Sequence, residues 1–260
     1  MENFVVPIAV TFAVLLAVAA AWVVRTQRGL RRVTESLVDA EEALDRGELA
    51  RARDLVSPLL ARFPTLPVVQ EVAADTLYAS GDPLSAASLL EQAMKRLGPA
   101  RVAPRLVAAY AALNRAGDAR RVAALAPDDA LVRITLAWCE LAADGGDREH
   151  GRALAEALAK DAAMRDTPSY DAMASALVAI AAGRAGDLVR MRASLDHVAA
   201  RGDELAPQDR AFVGYLIGVA RREAGDTATA RAIWTAAMDV APESIGAALA
   251  RRERSHLPAP

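Results

Sequence analysis

One cysteine, Cys139, stands in the whole chain, so no intramolecular disulfide can form and no cysteine-based structural zinc site can be assembled. A lone thiol of this kind reads as a small core residue. Aromatic residues are also scarce, at 4% against a hydrophobic share of 53%. Most of that apolar excess is alanine, which favours helices brought close together over a core filled by large rings. Long β-rich runs are missing as well, which points to an all-α chain. A basic surplus is lacking. The net charge is −2, and residues 1–32 set Glu2 against Arg25, Arg28, Arg31 and Arg32, a net of +3, so residues 33–260 carry −5. A mildly acidic body excludes the basic face that nucleic acid requires.

The usual marks of chemistry are absent too. The three histidines, His150, His197 and His256, are far apart and lack the i, i+4 spacing of a helical metal site. Gly145-Gly146 has no phosphate-loop surroundings and reads as an ordinary helix elbow. Glu41-Glu42 and Asp128-Asp129 fall at helix starts or exposed faces, where capping or solvated charge explains them better than acid–base catalysis. No nucleophile elbow surrounds any Ser or Thr. The sequence therefore predicts no enzyme, no cofactor and no metal.

What is present begins with 21 residues from Phe4 to Val24 that carry no charge. At the rise of an α-helix they cover roughly 32 Å, about the hydrocarbon thickness of a bilayer. Twelve of the 21 are Leu, Ile, Phe or Val, which together favour insertion by roughly 4 to 7 kcal/mol, enough to outweigh Pro7. Trp22 falls where an interfacial aromatic belongs. The leader before this run has no Lys or Arg and the run is longer than a signal peptide needs, so it reads as a retained anchor. Four arginines follow it within eight residues, Arg25, Arg28, Arg31 and Arg32, and none precedes it. The positive-inside rule then places the carboxyl side in the cytoplasm, with the reverse, periplasmic placement as the alternative. These arginines could also hold anionic headgroups. Ala9, Ala13, Ala17 and Ala21 form a stripe of small residues through which two spans could self-associate.

The chain after residue 33 is punctuated by six elbows: Gly47-Glu48, Gly81-Asp82, Gly117-Asp118, Gly146-Asp147, Gly186-Asp187 and Gly225-Asp226. Glycine closes one helix in the left-handed region, and the Asp caps the next. After three of the elbows the following residues agree position for position. Gly47, Ala52, Val56, Leu59 and Pro64 keep the same spacing as Gly81, Ala86, Leu90, Ala93 and Gly98, and as the set from Gly225 through Ala230, Trp234 and Ala237 to Pro242. Gly218 and Ala74 take the matching small position of the preceding helices. The third unit departs: only ten residues separate Gly117 from Pro127, so its second helix, about Ala119 to Ala126, is short, and a bend is expected near residues 117–130. Glu243 to Arg254 reads as a final capping helix that turns Ala247, Leu249 and Ala250 inward.

In its glycine elbows, small-residue placement and proline stops the chain resembles the tetratricopeptide repeat family over roughly residues 33–242. The resemblance implies an α-solenoid of about six helical hairpins. The expected organisation is a membrane anchor at 1–25, a basic linker at 26–33, the solenoid at 34–242 and a capping helix and tail at 243–260. It also implies a concave groove lined by the first helix of every pair. Those positions hold Glu71, Asp75 and Tyr78 in the second unit and Asn114 and Arg115 in the third. Leu136 and Glu140 take them in the fourth, Leu177 and Arg184 in the fifth, Tyr215 and Arg222 in the sixth. Trp138 and Trp234 fall on packing positions. The chaperone-binding branch of the family clamps a terminal carboxylate with basic residues where this chain has Glu71 and Asp75, so that ligand is disfavoured. The layout is similar to the lipopolysaccharide assembly protein B family, a span followed by cytoplasmic repeats, although one cysteine cannot supply that family's rubredoxin-like site. The function expected is a scaffold or adaptor that binds other proteins at a bacterial inner membrane, with self-association as the alternative.

Overall fold

A computed structural model describes residues 31–257, so the apolar stretch 4–24, Arg25, Arg28 and the alanine stripe lie outside the described residues. Among the described residues the protein is all-α, without a strand, and no helix is long and apolar enough to cross a membrane. The helices are α1 (31–45), α2 (Leu49–Arg62), α3 (Pro67–Ala79), α4 (Pro83–Leu97), α5 (Pro99–Ala112), α6 (Ala116–Ala123) and α7 (Ala130–Ala142). They continue as α8 (Arg148–Lys160), α9 (Ala162–Arg165), α10 (Pro168–Arg184), α11 (Leu188–Ala200), α12 (Pro207–Glu223), α13 (Thr227–Val240) and α14 (Ile245–His256).

Local chemistry sets most of these boundaries. Helices α3, α4, α5, α10 and α12 open on proline at the first turn, where no amide hydrogen is required. Asp82, Asp147, Asp187 and Asp226 each accept from the backbone N–H three residues on, capping α4, α8, α11 and α13. The elbow expected at Gly117-Asp118 is displaced. Asn114 takes the left-handed conformation at φ 62, α6 starts at Ala116, and Gly117 lies inside it. Asn is the residue after Gly that best tolerates this region, so the turn forms three residues early and Asp118 pairs with Arg115 and Arg121 instead of capping. Helix α6 is short as expected, at eight residues.

Successive helices pack as antiparallel pairs, and the first helix of each pair also packs on the first helix of the next, in the order α3, α5, α7, α10, α12. Small residues permit the closeness. A Cβ added at Gly218 would sit 2.1 Å from the indole nitrogen of Trp234, which is fully buried and donates to the Tyr215 carbonyl at 3.0 Å. Helix α10 is buried from Asp171 through Gly183 with little amphipathic bias, as a helix enclosed on all sides should be. One core runs from α3 to α14, and a smaller one joins Val33 and Leu37 to Val56 and Val69.

The stack curls until its ends meet. Gln208, at the start of α12, donates to the carbonyls of Leu44 and Asp45 at 3.3 and 3.4 Å. Arg252 of α14 donates to the Ala112 carbonyl at the end of α5, at 2.8 Å. Gly81 faces Ala248 so closely that a Cβ there would lie 2.8 Å from the alanine methyl. Helix α14 does bury Ala247, Leu249 and Ala250, and it does so inside the curl, where the backbone of Gly246 presses on Ala211 and Phe212.

Candidate functional site

The curl turns the inner face of the stack into two cavities. The first, about 250 Å3, is bounded by α3, α4, α5, α7, α10, α12 and α14 and is lined mainly by apolar and aromatic side chains. Tyr78, Trp138 and Phe212 are its aromatic side chains. Trp138 meets Phe212 edge to face with centroids 5.2 Å apart, and Tyr215 stands 5.9 Å from Trp138. The second cavity, about 290 Å3, lies across Trp138 and Tyr215 from the first and is polar, with Asn114, Arg222, Arg252, Glu253 and His256 on its walls.

Of the residues expected to line a partner groove, Asp75 and Tyr78 line the first cavity and Asn114, Tyr215 and Arg222 the second, and most of the polar atoms in the expected set are engaged within the chain. Glu71, 5% exposed, accepts from Arg101 Nη2 at 2.7 Å and pairs with Arg105 at 3.1 Å. Asp75 accepts from Arg105 Nε at 2.8 Å. Glu140, fully buried, accepts from Arg120 Nε at 2.5 Å and Nη2 at 2.7 Å and from the Asp147 N–H at 2.5 Å. Arg184 donates to Glu223 and to the Leu141 carbonyl, each at 2.7 Å. Arg222 pairs with Glu253 and with Glu223. Asn114 exchanges two hydrogen bonds of 2.9 Å with Asp144.

The remaining expected positions are apolar, aromatic or peripheral. Tyr215, 2% exposed, is core, and Leu177 is fully buried. Tyr78 is half-buried on the wall of the first cavity. Leu136 is half-buried on a separate outer cavity that it shares with Glu140. Arg115 is exposed and stacks over Tyr110, its guanidinium carbon 4.6 Å from the ring centroid. Arg31 and Arg32 are exposed on α1, with Arg31 bonded to Glu35.

These pairs staple one hairpin to the next. Glu71 to Arg101, Asp75 to Arg105 and Asn114 to Asp144 each bridge 30 residues, and Arg222 to Glu253 bridges 31. A further ion-pair cluster, which sequence reasoning missed, lies within one hairpin and ties buried Asp171 of α10 to Arg201 and His197 at the end of α11, both at 2.9 Å. Its signal was an acidic residue in the first turn of an otherwise apolar helix, 30 positions before an arginine.

Burial dominates the electrostatics of this interior. It pushes the Asp75 carboxyl up to about 6 despite the Arg105 guanidinium against it, and Glu71 nearby adds to the rise. It raises the Asp209 carboxyl, and it raises the Tyr78 hydroxyl and the Tyr215 hydroxyl, the last to about 12. The Cys139 thiol is pushed up to about 12 by burial, with Glu140 adding to the effect. Among the described residues no group of three or more His, Cys, Asp or Glu side chains is placed to hold a metal ion.

The class defined by this architecture is an all-α protein of stacked helical hairpins whose inner face is closed on itself. No family model and no curated relative matches the sequence, so a functional reading stands on the geometry.

Proposed function

We propose that the protein is a membrane-anchored, non-enzymatic scaffold of tetratricopeptide-like repeats that holds other proteins at a bacterial inner membrane, with its α-solenoid on the cytoplasmic side. The observation that carries this reading is the repeated use of one device. Successive hairpins are joined by ion pairs or hydrogen bonds at a separation of 30 or 31 residues, and the first helices stack in order. An array built this way, with its inner face closed, leaves a continuous outer surface of stacked hairpins for a partner. Because the inner polar residues are engaged with one another, recognition falls to the outer surface and the elbows. There Val189 is 83% exposed and Leu84 65% exposed, at the starts of second helices. The stretch 4–24 and the arginines after it support the anchor and its orientation.

The test uses the full chain in native membranes. A photocrosslinking residue at Val189 or Leu84 is expected to give a discrete adduct that the same probe at exposed Ser57, on α2, does not. Adducts that are the same from all three positions would remove the scaffold reading. Leu15→Asp with Leu16→Asp should shift the chain from the membrane to the soluble fraction, since each acid at the centre of a span costs roughly 2.5 to 3.5 kcal/mol. Unchanged membrane retention would remove the anchor.

A further inference from the structure

The first interior cavity is apolar in its lining but not neutral in its demands. Tyr78, Trp138, Phe212 and Leu216 supply walls against which an aromatic or aliphatic body can lie. One carboxylate of this lining lacks a partner. Asp209, half-buried in the first turn of α12, receives no hydrogen bond or ion pair from the described residues. The neighbouring Gln208 amide is turned away to the α1–α2 turn, where its Nε2 donates to Leu44 and Asp45 and its Oε1 lies against Gly47. The cations that reach this region are already committed, Arg105 to Asp75 and Glu71, and Arg101 to Glu71. An anionic occupant would therefore meet an unpaired carboxylate and no free cation, and a purely apolar one would cover the Asp209 carboxylate without giving it a partner.

We propose that this cavity is a binding site for a small organic cation, a primary ammonium on an apolar body, with the body against Tyr78, Trp138, Phe212 and Leu216 and the ammonium at Asp209. The size follows from the volume. A dry cavity of about 150 Å3 takes benzene, so the 250 Å3 here takes a body of about ten non-hydrogen atoms. A primary ammonium donates to the Asp209 carboxylate, and a cation beside aromatic faces gains further attraction. Burial already works against ionised Asp209, and an ammonium beside it reverses that effect. This site goes beyond the scaffold reading and does not depend on it, since the ligand occupies the interior and a protein partner the outside.

The experiment is isothermal titration of the full chain in detergent micelles with three probes of similar size: 2-phenylethylammonium, 2-phenylethanol and phenylacetate. The cation should bind at least about tenfold more tightly than the alcohol, the gain expected of a hydrogen bond to a charged group, and phenylacetate should bind most weakly. Asp209→Asn should erase the preference for the cation while leaving the weak binding of the alcohol within about twofold. Ala108→Phe, which fills the lining from α5, should abolish binding of both. Equal affinity for all three probes, tighter binding of phenylacetate, a preference for the cation that survives Asp209→Asn, or no binding of the cation would each overturn the site. Should Ala108→Phe lose its helical circular dichroism, the comparison of probes and Asp209→Asn decides alone.

Discussion

Removing Arg120 should be among the most damaging surface substitutions in this protein. Its guanidinium is 42% exposed on α6, yet it supplies two of the three hydrogen bonds received by Glu140, whose side chain on α7 is fully buried. Arg120→Ala would leave a buried carboxylate with the Asp147 N–H alone. Breaking a buried pair by removing one partner costs about 3 to 5 kcal/mol. The arginine side of the pair faces solvent, so water enters the vacated space and the cost falls to about 2 to 4 kcal/mol. For a chain of this size the corresponding fall in melting temperature is roughly 4 to 16 °C. The assay is thermal unfolding of the full chain in micelles followed by circular dichroism. Amide hydrogen exchange should accompany it, because a repeat array can open in one region before the rest. Exchange should accelerate first in α7 and α8. Adding Glu140→Gln to Arg120→Ala should recover part of the loss, since a neutral amide is less costly to leave partly unpaired than a carboxylate. A fall below about 2 °C for Arg120→Ala, or a double variant no more stable than the single one, would refute the dependence of Glu140 on Arg120.

Three further outcomes follow from close contacts and burial. Gly246→Ala should destabilise by about 1 to 3 kcal/mol or prevent folding, because the added methyl would lie 2.4 Å from the Phe212 backbone nitrogen, which cannot swing aside as a side chain could. Chemical denaturation measures it, and a change within about 0.5 kcal/mol would contradict the packing. Asp75 holds its proton up to about 6 in the folded chain against 3.8 when unfolded. The stability it contributes is therefore full below 3.8 and is lost as pH rises through about 6, an effect on the order of 3 kcal/mol. Asp75→Asn should remove that fall, seen as a flatter melting-temperature profile between roughly pH 4 and 7, and a slope identical to that of the parent chain would count against it. Cys139 is buried, with its thiol raised to about 12, so alkylation by iodoacetamide should be slow in the native chain and fast in denaturant. Rapid native labelling would mean that α7 is more open than described.

Much of the helical order could be read along the chain because it depends on neighbours. Proline at a first turn and Asp82, Asp147, Asp187 and Asp226 at caps act within about one helical turn of themselves. Two elbows are displaced: Gly145 takes the left-handed conformation in place of Gly146, and Asn114 meets the steric demand expected of Gly117 three residues earlier. Periodicity brings Asp75 and Tyr78 to one cavity and Asn114, Tyr215 and Arg222 to the other, while Leu136 and Glu140 line a third. Periodicity says which face a side chain occupies but not what lies opposite it.

The sequence alone determined that the chain is helical, where most helices begin and end, and which small residues let them approach. Only the tertiary structure decided that the inner face is closed, that its charges are staples between hairpins, and that a cavity with an unpartnered carboxylate remains inside. The reason is one of range. Caps and turns are fixed by bonds spanning a few residues, whereas closure depends on contacts such as Gln208 with Leu44 and Arg252 with Ala112, which are 164 and 140 positions apart. Those contacts exist only because many small rotations between successive hairpins add up to a full curl, and no local segment carries that sum.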